Sequence, residues 1–202
     1  QTYQTLAKEY STKQLLEAGI LTERANGLTP LFYKHTVAVP FYDMNGLIYL
    51  RARTLDPTVK AKYLAPRGTS PPIYNYQTIA EYDGSRPLYI TESETDALAL
   101  NVIGETALAL VGGQKHIDSL VVRELAHLIT YGLSPKIEVN IVADRDTTGE
   151  AFFKSVADAL YIAGVPANNL NKYQSDEQYK DIAEQVKAIK TTERANGYKG
   201  KK

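Results

Sequence analysis

The chain of 202 residues contains no cysteine and only three histidines, which are scattered at His35, His116 and His127. Without cysteine, the chain forms no disulfide, no thiolate zinc site and no cysteine nucleophile of its own. The scattered histidines also argue against a histidine-rich metal site. No apolar run approaches the roughly 18 residues that a membrane-spanning helix needs, and no signal-peptide pattern is present, so we expect no membrane contact.

The chain also lacks an excess of charge of either sign, because 23 lysine and arginine residues balance 23 aspartate and glutamate residues. The distribution is uneven, however. Between residues 31 and 70 the only acidic residues are Asp43 and Asp56, whereas the basic residues there are Lys34, Arg51, Arg53, Lys60, Lys62 and Arg67. A local excess matters more to a polyanion than the total, because salt screens attraction within about 8–10 Å.

The hydrophobic pattern divides the chain near residue 84. In residues 1–84, Ser11 and Gln14 predict a capped helix over 12–18. Two β-rich runs follow, TVAVPFYD and LIYLRAR, and the Asn45-Gly46 pair between them predicts a hairpin. A proline-rich, loop-like segment completes this part, so we predict a small mixed α+β subdomain of basic character.

Residues 85–190 alternate between strand and helix patterns. The predicted strands are 88–92, 106–110, 136–143 and, more weakly, 168–173, and the predicted helices are 95–103, 119–130, 149–164 and 176–189. Short apolar strands are typical of a sheet with both faces covered. We therefore predict an α/β domain with a doubly wound parallel sheet, whose strand-to-helix loops meet at one edge.

The basic end of the chain, residues 191–202, is expected to be a disordered tail. The segment TERANG occurs twice, at residues 22–27 and 192–197. In both places we expect its Asn-Gly pair to end a helix, because these residues adopt the left-handed conformation most readily.

Carboxylates follow two of the predicted strands. Asp144 and Asp146 are two residues apart in an extended segment and so point to the same side, and Glu92 and Asp96 follow the first strand. If the two strands are neighbours, these side chains repel one another unless a divalent cation lies among them. Oxygen ligands suit Mg²⁺ or Mn²⁺, which typically handle phosphates at such an edge. Alternatively, Asp146 caps a helix and Asp96 is a first-turn charge.

The run LYITESETDALAL, followed by ALVGG and IVADRDTTGE, resembles the TOPRIM domain, which DnaG-type primases, topoisomerases and some nucleases share. The matching residues are Glu92, Asp96, Gly112, Asp144, Asp146 and Gly149. The resemblance covers roughly residues 86–190 and implies that Glu92, Asp144 and Asp146 are the catalytic acids and, with Asp96, the metal ligands. Glu92 would be base or ligand. The looser match YKDIAEQV adds Asp181 as an outer ligand, with Asp176 as the alternative.

The first part resembles the subdomain that precedes TOPRIM in DnaG-type primases, including phage and plasmid primase-helicases. Pro40, Gly46, Arg53, Lys62 and Tyr63 fall on that pattern. In that family the subdomain forms one wall of the groove that carries the template and the nascent primer. The residues that we expect to bind nucleic acid or nucleotide are Lys34, Arg51, Arg53, Lys62, Tyr63, Arg67, Gly112, Gly113 and Arg145. Solvated strand charges, and for the glycines a simple turn, are the alternative interpretation.

Besides the loosely matching last acidic motif, the chain departs from the family pattern at three places. Ser93 replaces the usual glycine after the first acid, Arg145 stands between the two aspartates where glycine is common, and Thr36 occupies a frequent arginine position. Arg145 would pair with a carboxylate or reach a phosphate.

The resemblance implies the catalytic core of a DNA primase, which makes short primers on single-stranded DNA from nucleoside triphosphates with Mg²⁺ or Mn²⁺. It also implies a replicative helicase, as a domain or a separate protein, as partner, in the cytoplasm of a prokaryotic or phage-infected cell. A TOPRIM nuclease, or a degenerate domain that only binds DNA or partners, is the alternative. Because the chain begins with Gln1, we expect it to be a piece of a longer protein.

Overall fold

The computed structural model describes residues 7–66, 68–80, 82, 84–111, 127 and 137–197. The chain divides into two compact units, one made of Gln1–Phe41 and Gly46–Thr69, the other of Tyr42–Asn45 and Ser70–Lys202. The division at residue 84 stays a prediction, because it rests on a change of hydrophobic period and not on contacts. Within the described ranges, no helix has both the length and the apolar character needed to cross a membrane.

The first unit contains a short helix and two small sheets. Helix α1 (Thr12–Glu17) begins at the predicted capping box, in which the Ser11 hydroxyl accepts the Gln14 N–H and the Gln14 side chain accepts the Ser11 N–H. Strands β1 (Leu21–Arg24) and β2 (Gly27–Pro30) form an antiparallel hairpin. The second sheet has the order β3-β4-β5, and its strands are β3 (Val37–Asp43), β4 (Gly46–Arg53) and β5 (Tyr63–Leu64).

Both hairpins of this unit depend on an Asn-Gly pair. Gly46 has a φ of 128° at the predicted turn between β3 and β4, so that hairpin is confirmed. Gly27, with a φ of 102°, opens β2. The first TERANG segment is therefore the turn of a hairpin, and the prediction that it ends a helix is wrong. The pairing of Thr22 with Thr29 and of Glu23 with Leu28 places the segment in this hairpin.

Among the residues that the structure describes, the second unit is built on a four-stranded parallel sheet with the order β7-β6-β8-β9. Its strands are β6 (Leu88–Thr91), β7 (Thr106–Ala109), β8 (Val139–Val142) and β9 (Leu170–Tyr173), and its helices are α2 (Gln77–Ala80), α3 (Glu94–Val102), α4 (Thr147–Ile162) and α5 (Ile182–Gly197). The predicted α/β class and parallel sheet are confirmed, and so is the pairing of the first and third predicted strands.

The core of this unit follows from the apolar strands and one helix face. Every residue of β6 and β8 is buried, since these are the two central strands. Phe152, Val156 and Leu160 are spaced to line one face of α4, and all three are fully buried in the core cluster with residues of both strands. This packing holds the sheet edge from which the acidic loops emerge.

The last helix begins later than its sequence pattern indicates. We expected a helix from residue 176, but α5 begins at Ile182, because Asp176 instead exchanges hydrogen bonds with the Gln185 side chain. The helix continues to Gly197, into the segment expected to be a tail, and so includes the second TERANG segment. Of the helix predicted over 119–130 only His127 is described; Arg67, Gly112 and Gly113 also lie outside the described residues.

Candidate functional site

The predicted carboxylates meet at the carboxyl end of the two central strands. Ile90 of β6 lies opposite Ile141 of β8, so the chain leaves both strands at the same edge, with the strands about 4.8 Å apart. Glu92 is the first residue after β6, and Asp144 is the second residue after β8. The condition on which the predicted acidic site depended, that the first and third strands are neighbours, is therefore met.

The charges at this edge act on one another. Loss of hydration is the largest cause of the raised pKa of Glu92, and the charges of Asp144, Asp146 and Asp96 raise the pKa further. The structure thus brings the four predicted acids of these two loops into mutual electrostatic range. Each proton that one of them binds, or each cation placed among them, would relieve this repulsion.

Asp144 is the acid on which most of these charges act. Desolvation raises its pKa most, followed by the charges of Asp96, Asp146 and Asp181, whereas Lys180 lowers the pKa. Sequence reasoning missed Lys180, although it directly precedes Asp181 in the segment YKD that resembles the family's last acidic motif. Asp176 is not among the charges that act on Asp144, so the geometry favours Asp181 over Asp176 as the acid that approaches this edge.

The donor set fits a hard divalent cation by its chemistry, since it offers carboxylate oxygens and no sulfur or imidazole. All three residues of the loop Asp144–Asp146 are exposed, so an ion can reach them from solvent, although neighbouring atoms still remove part of the hydration of the Asp144 carboxylate. The side chains do not yet converge on one point: in the described ranges, no three Asp, Glu, His or Cys side chains form a group ready to hold an ion. A bound ion would have to draw these carboxylates together.

Asp146 also has a structural role. Its Oδ1 accepts the Gly149 N–H at 2.8 Å, and its backbone is extended, so it is the N-cap of α4. The alternative that Asp146 caps a helix is therefore confirmed, and the cap holds the side chain beside Asp144. A Cβ at Gly149 would lie 2.2 Å from the Asp144 carbonyl oxygen, so only glycine allows the helix to start against this loop.

Ser93 begins α3 without needing the conformational freedom of glycine. Its φ of −126° and ψ of 144° are extended backbone, and its hydroxyl accepts the Asp96 N–H at 3.2 Å. The same hydroxyl donates to Asp96 Oδ2 at 2.6 Å. Asp96 Oδ1 accepts the N–H of Ala183 in α5 at 3.1 Å. Asp96 is thus hydrogen-bonded to both helices.

The loops after β8 and β9 are joined by further hydrogen bonds. The Arg145 guanidinium donates to the carbonyl of Ser175, a buried residue. Asp181 Oδ1 accepts the Glu184 N–H at 2.8 Å and caps α5. The Lys180 N–H donates to the Glu184 carboxylate at 2.7 Å. These contacts set the position of the segment that carries Lys180 and Asp181.

The basic residues of the first unit are organised around aromatic rings. The guanidinium carbons of Arg51 and Arg53 lie 4.1 and 5.5 Å from the centroid of the Tyr63 ring. Arg53 and Tyr63 face each other in the pairing of β4 with β5. Lys34 Nζ lies 5.5 Å from the ring of Tyr33, an aromatic residue that sequence reasoning missed. Cation–π contacts of this kind hold cationic side chains in place at modest energetic gain.

Lys62 is the basic residue that directly precedes Tyr63 on the same segment. Lys62 is exposed, and its carbonyl accepts the N–H of Thr54 at 2.9 Å. This bond joins its backbone to the residue that follows β4. His35 is buried, with Nε2 at 2.8 Å from the Ala61 carbonyl oxygen, and it therefore fixes the loop before Lys62 rather than facing solvent.

Comparison with known proteins gives relatives at the level of sequence. The Toprim-like family model matches residues 89–186. The Gene 57 protein of Mycobacterium phage D29 is 32% identical over 133 residues, which are 63% of this chain and 80% of that protein.

Solved structures of primases are similar at low identity. The RNA polymerase domain of Mycobacterium tuberculosis primase DnaG, in complex with double-stranded DNA, has a TM-score of 0.64 at 20% identity, over 90% of this chain and 58% of that chain. The zinc-binding and RNA polymerase domains of the Aquifex aeolicus primase give a TM-score of 0.65 at 22% identity, over 96% of this chain and 48% of that chain. The chain spans less than two thirds of these solved chains, and at these identities the likeness establishes the fold.

Replacing Gly149 by alanine is expected to destabilise the chain by about 1–3 kcal/mol, because the added methyl group must push the Asp144 backbone aside. Helix propensity alone predicts instead that alanine stabilises the chain, by about 0.5–1 kcal/mol in the free energy of unfolding. Denaturant melts give the free energy of unfolding of this variant, with Thr147→Ala, at an exposed position of the same turn, as control. A stabilised Gly149→Ala variant would show that the close approach does not exist.

The raised pKa of Asp144 makes the folded state bind its proton more tightly than the unfolded chain does. Relative to the unfolded chain, the protonated carboxyl therefore stabilises the folded state, and this stabilisation is complete below the ordinary pKa of 3.8. The stabilisation is lost as the pH rises through the folded-state pKa. In EDTA at neutral pH, we expect Asp144→Asn to melt at a higher temperature than the parent chain. The difference should shrink as the pH falls toward 3.8.

Circular dichroism melts over this pH range measure the effect, with Asp158→Asn, an exposed carboxylate of α4, as control. The control should change the melting temperature little at any pH. An Asp144→Asn variant that is no more stable than the parent at neutral pH contradicts the crowding of charge.

Proposed function

Because the chain belongs to the Toprim-like family and has the fold of the DnaG-type primase core, we propose that it is the catalytic core of a DNA primase. It would make short primers on single-stranded DNA by metal-dependent transfer of nucleotides from nucleoside triphosphates. The observation that carries the proposal is that Glu92, Asp144 and Asp146 lie at the same carboxyl edge of a parallel sheet. There the charges of the two aspartates raise the pKa of Glu92.

In this proposal, Asp144, Asp146 and Glu92 hold Mg²⁺ or Mn²⁺, and the charge of Asp181 acts on Asp144. The chemistry that such an ion supplies is stabilisation of the charge that builds up on the triphosphate and on the attacking 3′-hydroxyl. The cap of α4 and the close approach of Gly149 orient the two aspartates before substrate binds. Glu92, with its raised pKa, binds a proton more readily than an ordinary glutamate, which suits a general base; as a ligand it would first have to release that proton.

Changing Asp144 to alanine is expected to lower Mg²⁺-dependent primer synthesis at least about a hundredfold, because a carboxylate ligand is lost. Asp158→Ala, which removes a carboxylate from the exposed face of α4, should retain the activity of the parent chain. The measurement is extension on a labelled single-stranded template with nucleoside triphosphates, in Mg²⁺ and in EDTA. A fully active Asp144→Ala variant would rule out this assignment of the metal ligands.

The same assay without nucleotides separates the proposal from phosphodiester hydrolysis. Strands that are shortened in Mg²⁺ alone, and no longer shortened by Asp144→Ala, would identify a TOPRIM nuclease that uses the same acids. Neither extension nor shortening, together with retained DNA binding, would identify a domain that only binds DNA.

We further propose that Arg51, Arg53, Lys62 and Tyr63 bind the single-stranded template. Phosphates attract the two guanidinium groups and the exposed lysine, and the Tyr63 ring holds the arginines in place. Basic side chains alternating with aromatic rings are typical of surfaces that bind single strands without sequence preference. The related M. tuberculosis domain, whose structure is a complex with double-stranded DNA, supports nucleic acid as the ligand.

The double variant Arg51→Gln/Arg53→Gln is expected to weaken binding of a labelled single strand about tenfold near 0.1 M salt, because two phosphate contacts are lost. The plot of log affinity against log salt should become shallower by about 0.7 for each lost contact. Lys13→Gln, which removes an exposed charge from α1, is the control. An unchanged salt dependence in the double variant would exclude these arginines from the interface.

A replicative helicase as partner, the roles of Lys34, Arg67, Gly112, Gly113 and Arg145 in nucleotide binding, and a cytoplasmic location stay predictions of the resemblance.

A further inference from the structure

Asp96 accepts hydrogen bonds at the start of two helices of the second unit, α3 and α5. Its Oδ2 accepts from the Ser93 hydroxyl at 2.6 Å, within the first turn of α3. Its Oδ1 accepts from the backbone N–H of Ala183 at 3.1 Å, in the first turn of α5 and 87 residues along the chain. Both oxygens of this carboxylate are therefore engaged by donors of the protein itself.

The bond to Ala183 is of a kind that stabilises a helix start. The first N–H groups of a helix have no partner within the helix, and a carboxylate placed there satisfies one of them and favours the positive end of the helix dipole. Asp181, the N-cap of α5, already satisfies the Glu184 N–H. Asp96 satisfies a second donor of the same turn, and it does so from another helix.

The start of α5 determines where two charges of the site lie. Lys180 and Asp181 directly precede the helix, and both act on Asp144, Asp181 raising and Lys180 lowering its pKa. A shift of the first turn of α5 away from α3 would carry both charges with it. The contact between Asp96 and Ala183 is thus a link between the loop after β6 and the loop after β9.

Ser93 makes this link specific to the present sequence. The related pattern has glycine at this position, and glycine has no hydroxyl to donate to Asp96 Oδ2. In this chain the hydroxyl both caps α3 and orients the carboxylate, so that Oδ1 is presented to α5.

We propose that Asp96 is a positioning residue that clamps the start of α5 to α3, and that it is not a ligand of the metal ion. The clamp holds Asp181 and Lys180 beside Asp144. Its significance for the reaction rests on the proposed function, whereas the clamp itself does not.

Two substitutions separate a clamp from a ligand. Asp96→Asn keeps the shape and both hydrogen bonds, because the amide oxygen can accept from Ala183 and the amide nitrogen can donate to the Ser93 oxygen. It removes the negative charge that a cation needs. Asp96→Ala removes the clamp and the charge together.

The first measurement is hydrogen exchange of the Ala183 amide in the whole chain without divalent cations. We expect Asp96→Asn to keep the exchange rate within about threefold of the parent chain, and Asp96→Ala to raise it at least about tenfold. An Ala183 amide that stays equally protected in Asp96→Ala would overturn the clamp.

The second measurement is Mn²⁺ affinity, followed by the paramagnetic resonance signal of free Mn²⁺. Asp96→Asn removes a charge that acts on Asp144 but no ligand, so it should weaken binding several-fold less than Asp144→Asn, which should weaken binding at least about tenfold. Equal losses in Asp96→Asn and Asp144→Asn would make Asp96 a ligand and overturn the proposal. If the parent chain binds no Mn²⁺, the metal site of the proposed function fails, and the exchange measurement still decides the clamp.

Discussion

The parallel pairing of β6 with β8 is the contact on which the candidate site depends. These two strands are the buried centre of the sheet, and their register sets Ile90 beside Ile141, so the chain emerges from both at one edge. Each emerging loop carries a carboxylate within its first residues. The repulsion that results opposes folding, and the apolar packing of both strands against α4 is what holds the loops together in spite of it.

The acids of this edge satisfy backbone groups as well as repelling one another. Asp146 caps α4, Asp181 caps α5, and Asp96 accepts from Ala183. A helix N-terminus stabilises a negative charge, so each of these bonds offsets part of the cost of crowding. Capping and ion binding are therefore not exclusive alternatives for Asp146: the bond that satisfies the helix start also orients the side chain at the site.

The first unit also holds two like charges close together, but there both charges are positive. Arg51 and Arg53 are two residues apart in β4 and therefore lie on the same side of the strand, where their positive charges repel each other. The Tyr63 ring of the neighbouring strand lies within 4.1 and 5.5 Å of their guanidinium carbons and attracts both. A surface that holds two cations in a set geometry loses less conformational entropy when it binds a phosphate chain.

The sequence by itself determined the α/β class, the parallel sheet, the hairpin at Asn45 and the acids of the two loops, because these follow from local periods and from the spacing of charges. Only the tertiary structure decided that Asp96 joins α5, that Lys180 lies near Asp144, and that α5 begins at Ile182. The two TERANG segments show why. The same six residues lie at 22–27 in a hairpin, where they pair with the strand that follows, and at 192–197 in a helix that begins at Ile182, since so short a segment has a weak preference of its own.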